Sequence, residues 1–167
     1  EIRVAALEAI VKHGRQIDAQ GFKFLAGLAG QPQTPTLLGG QAARALGHLE
    51  LTAHNSAQAL ALCKLLAAAS PLQVTGLLQP FIRLGNASQE SLADWPAADR
   101  NVLGIKLAAA LEASPGRSSL ERSRTSAILG AFPPALPEAH AALSALAKAG
   151  EEQAGEREAR LKAILEG

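Results

Sequence analysis

Apolar positions recur along this chain at the spacing of buried helical stripes. The clearest case is Leu38, Ala42, Ala45, Leu46 and Leu49, set at i, i+4 and i+7. The pattern predicts a first helix over about 1–13, ended by Gly14 as a natural C′ residue. A second covers about 18–29, opening at Asp18 with Phe22, Leu25, Leu28 and Ala29 on one face. Gly30, Pro32 and Pro35 break the chain, because proline cannot continue a helix interior. A third helix runs about 36–49. A fourth, about 55–69, is apolar nearly all round through Leu60, Leu62, Cys63, Leu65 and Leu66, so it is expected to be covered on more than one side.

Ser70-Pro71 supplies an N-cap and a first-turn proline for a fifth helix, which runs to Leu84, ends at Gly85 and is bent by Pro80. Residues 86–95 form a polar connector. A long helix follows over 96–113, with Leu103, Leu107, Ala110 and Leu111 along one side. After a loop at 114–118, Ser118 and Glu121 have capping-box spacing for a helix that ends at Phe132 before Pro133-Pro134. Another covers 135–149 through Leu136, Ala139, Leu143 and Leu146. The segment 151–166 is highly charged, with Glu156–Arg160 and Glu158–Lys162 at helix-supporting i, i+4 spacing.

Three of these helical stretches begin at residues 1, 36 and 71, a constant interval of 35. That period marks stacked helix pairs, each burying its apolar stripe against its neighbours. The expected fold is all-α, a right-handed α-solenoid of about four helix pairs over residues 1–149, with 150–167 as a charged terminal helix or linker. The first pair lacks one helix: the stripe Ile2, Ala6, Ala9, Ile10 calls for an upstream partner. This reads as a piece cut from a larger protein, with natural processing of this end as the alternative.

Composition narrows the picture. Hydrophobic residues make up 48% of the chain and aromatics only 3%, with no Tyr. Enough apolar surface is present to offset chain entropy, and Ala and Leu favour helices over the branched and aromatic residues of a β-sandwich. A net charge of +1 provides no long-range field for nucleic acid or an anionic membrane. No apolar run approaches the roughly 20 residues that span a bilayer.

Candidate chemistry is sparse. His48 and His54 stand six apart with no acidic or cysteine partner at ligand spacing, so no metal site is expected. His13 suits a helix C-terminus, and His140 receives the same structural reading. Cys63, in the most apolar helix, should be a buried, inert thiol. Gly39-Gly40 lacks the strand and the Gly-Lys-Ser/Thr context of a phosphate loop. Glycines 27, 47, 76, 104 and 130 each cost roughly 1 kcal/mol relative to Ala in a helix, which points to close backbone packing. Arg44, Arg83, Arg100, Arg117, Arg122 and Arg124 are read as solvated, since acids interleave them and aromatics for base stacking are lacking. Trp95, beside Pro96, is read as a packing plug for the connector.

The stretch Ile2-Arg3-Val4-Ala5-Ala6-Leu7-Glu8-Ala9-Ile10 resembles the second helix of a HEAT repeat. The resemblance implies that Arg3 contributes to a polar ladder with an acid in a turn, a ladder that Gly39 or Gly40 interrupts in the next repeat. Ala69-Ser70-Pro71-Leu72, Leu111-Glu-Ala-Ser-Pro, Ser119-Leu-Glu-Arg, Ala131-Phe-Pro-Pro and Arg157-Glu-Ala-Arg-Leu-Lys-Ala-Ile-Leu-Glu-Gly follow in that order. Together they are similar to the HEAT region of secreted planctomycete-type haem-binding proteins, which combine a dehydrogenase-like propeller, helical repeats and a cytochrome c module. The resemblance implies an extracytoplasmic location and neighbouring redox modules. Cys63 stands alone without Cys-x-x-Cys-His, so no redox role carries to any residue here. The expected function is a non-enzymatic scaffold, with no catalytic, cofactor-binding or metal-binding residues and no cofactor. Its partners would be neighbouring domains of the parent protein or another protein, without nucleic acid or membrane insertion. A stand-alone protein- or peptide-binding solenoid using its concave face is the runner-up. An enzyme such as a HEAT-like lyase or a DNA-repair glycosylase would need clustered acids, aromatics or a basic groove.

Overall fold

Short Gly-, Pro- and Ser-containing breaks reverse this chain repeatedly, and between them the Ala- and Leu-rich stretches form helices. The computed structural model describes residues 2–14, 16–88, 92–116 and 122–166, with side chains left aside at 122, 123, 153, 154, 157, 158, 160, 161 and 163–166. Among them are eight α-helices and no strand: α1 (Ile2–Gly14), α2 (Ala19–Gly30), α3 (Thr36–Leu46), α4 (Ser56–Ala67), α5 (Pro71–Gly85), α6 (Ala97–Ala113), α7 (Arg122–Leu129) and α8 (Pro137–Glu166). A 3-10 turn, Ala53–Asn55, precedes α4. The protein is all-α.

Local chemistry sets several boundaries. Asp18 accepts from the Gly21 backbone N–H at 2.7 Å and starts α2. Ser70 and Gln73 form a capping box at α5, with Pro71 in the first turn. The ends of other helices are tertiary. α3 stops at Leu46 instead of running to 49, and its last bonds tighten to His48 N–H on Ala45 O and Leu49 N–H on Leu46 O. α7 likewise stops at Leu129, and tight turns carry the chain from Gly130 to Phe132. At Gly150 the chain does not break: α8 is one 30-residue helix, about 45 Å long at ~1.5 Å per residue. The strong helix formers around Gly150 offset its propensity cost. Beyond it, the described side chains Glu151, Glu152, Glu156, Ala159 and Lys162 are exposed. The expected Ser118–Glu121 cap, and the side chains of Glu158 and Arg160 in the expected charge pairs, lie outside the described residues.

The helices pack in two rows. α1, α3, α5 and α7 follow one another in the first, and α2, α4, α6 and α8 in the second. Principal contacts across the rows join α2 with α3, α4 with α5 and α7 with α8. One continuous apolar core threads both rows, from Val4 and Val11 through Leu46, Leu62, Phe81 and Leu107 to Phe132 and Leu143. The predicted stripes supply most of it: Ala42, Ala45, Leu46 and Leu49 in one stretch, and Leu103, Leu107, Ala110 and Leu111 in another, are all buried.

Glycine lets the first row close up. A Cβ on Gly76 would lie 2.9 Å from the Ala43 carbonyl oxygen, and one on Gly47 would lie 2.6 Å from the Gly76 oxygen. Pro80 has no N–H to offer that Gly76 carbonyl four residues back, so the oxygen is left facing Gly47. Gly85 and Gly130 make the corresponding approach between α5 and α7. Gly104 opens room for Ala139 and Phe132. Gly27 differs from expectation: its nearest neighbour is the Gln31 amide at 4.0 Å, so no close approach requires it.

Candidate interaction surface

Polar side chains cluster at helix ends and tie neighbouring helices together. Arg83 on α5 donates through Nη2 to the carbonyls of Gly47 and Leu49, the latter at 2.7 Å, and so caps the end of α3. Gln73 Nε2 donates to Ala29 O at the end of α2 at 3.0 Å. Arg124 Nη1 donates to Thr75 Oγ1 at 2.7 Å. Asn101 Nδ2 donates to Glu138 Oε2 at 2.9 Å, and its Oδ1 accepts from the Ala139 N–H, which joins α6 to the start of α8. Arg83 and Arg124 were expected on solvated faces, yet both serve the fold because they reach acceptors at adjacent helices. Arg44 is exposed, whereas the side chains of Arg117 and Arg122 lie outside the described residues. Replacing Arg83 with Met, which keeps the stem but removes the donors, should cost about 1–3 kcal/mol in urea unfolding.

The histidines are dispersed. His13 is exposed in the last turn of α1, His48 is half-buried past α3, and His54 is exposed in the 3-10 turn. His140 Nδ1 donates to Phe132 O at 2.8 Å, which fixes its tautomer and pins the turn before α8. No group of three or more His, Cys, Asp or Glu is placed to hold a metal among the described residues. Gly39 and Gly40 lie inside α3, not in a loop.

Cys63 is 3% exposed, and burial pushes its thiol from 9.0 up to about 12. Thiol reagents at neutral pH should therefore modify it only after the protein is unfolded in denaturant. Between pH 9.0 and about 12 the unfolded thiol loses its proton while the folded one keeps it, so this group's contribution to stability falls as pH rises. The slope approaches roughly 1.4 kcal/mol per pH unit, and Cys63→Ala should flatten it in alkaline unfolding curves.

Apolar side chains also reach the surface, Leu37 and Leu72 singly and others in two groups. A cleft of about 160 Å³ lies between α4 and α6, lined by Ser56, Leu60, Trp95, Asp99, Val102 and Leu103. Trp95 is 3% exposed, which fits a packing role, while Leu60 and Val102 stay exposed. Trp95 Nε1 and Arg100 Nε and Nη1 are buried without a hydrogen-bond partner among the described residues. The other feature is the outer side of α1, where Ile2, Ala6, Ala9 and Ile10 are exposed. Arg3 packs its guanidinium over the Phe24 ring, 4.2 Å from the centroid, a cation–π contact in place of the expected polar ladder. Sequence reasoning missed the cleft, because residues from α4, the connector and α6 meet there only through packing.

A comparison with family models, with curated proteins and with solved structures finds no match to this chain. No helix among the described residues is long and apolar enough to cross a membrane.

Proposed function

We propose that the chain is a non-catalytic helical-repeat scaffold, a HEAT-like right-handed α-solenoid that holds neighbouring modules in fixed relation. The carrying observation is the packing order: each helix makes its principal contacts with helices one or two places along the chain, as stacked repeats do. The 35-residue period of α1, α3 and α5 supports the same reading. End repeats of a free-standing array need a polar outer face, whereas α1 turns Ile2 and Ile10 outward at 89% and 56% exposure. That stripe suits cover by a further segment. The resemblance to secreted haem-binding proteins adds redox modules as neighbours and an extracytoplasmic setting.

Cross-linking mass spectrometry on the natural full-length protein tests the role. Links from Lys12 or Lys23 to a neighbouring module or bound protein are expected; if every link stays within the array, the scaffold reading fails. The α4–α6 cleft favours a second reading, a peptide-binding module. It predicts a peptide ligand whose affinity falls when Val102 becomes Asp.

A further inference from the structure

We draw no further inference here: the strongest candidate, the cleft between α4 and α6 lined by Leu60, Trp95, Asp99 and Val102, belongs to the peptide-binding reading already stated, and nothing in the structure shows what fills it, since Asp99 lies in the first turn of α6, where the positive end of the helix offsets its charge.

Discussion

Gly85→Ala should destabilise the protein by about 3 kcal/mol or more, the upper range for overpacking a closed interior. A Cβ at Gly85 would overlap the Ala127 carbonyl oxygen, and one at Gly130 would overlap the Gly85 carbonyl. Both obstacles are backbone, so no rotamer change relieves them. α7 would have to move away from α5 and open the core around Ile128 and Phe132, both buried. Gly27→Ala is the matched control: it sits within α2 with open space around it. There the gain in helix propensity should leave stability unchanged or raise it by up to about 1 kcal/mol. Thermal and urea unfolding of the two variants separate steric closeness from backbone freedom. Equal losses would mean that the α5–α7 approach is not as tight as the structure has it.

Phe132→Ala should cost about 3–5 kcal/mol, the range for deleting a buried aromatic ring. Phe132 is fully buried, its ring fills the space left by Gly104 on α6, and its carbonyl accepts from His140. The residue thus joins the turn after α7 to α6 and α8 at once. Phe24→Ala is the comparison: its ring is half-buried, packs against the core and lies under Arg3, so its loss should be clearly smaller, with a cation–π share of about 0.5–1 kcal/mol. Urea midpoints for both variants check the ordering.

Most of the helix limits were legible in local chemistry. Ser70-Pro71 announces α5 because serine accepts a first-turn N–H and proline lacks one it would waste. Asp18 announces α2 for the same reason. The misses share another cause. α3 and α7 end early where Gly47 meets the Gly76 carbonyl and Gly130 meets the Gly85 carbonyl, contacts between residues far apart in sequence. Gly150 promised a break, but a glycine between strong helix formers weakens a helix without ending it. Arg83 and Arg124 were misjudged because solvent and an oxygen on a neighbouring helix attract a guanidinium alike.

By itself the sequence determined the all-helical class, the 35-residue period and the apolar stripes, since helix propensity, caps and periodicity act over a few residues. Only tertiary structure decided which apolar residues stay outside. Leu60 and Leu62 both stand in the stretch read as apolar nearly all round, yet Leu60 is 37% exposed while Leu62 is fully buried. Helix packing selects between them, because one turn has room for only one side against its neighbours.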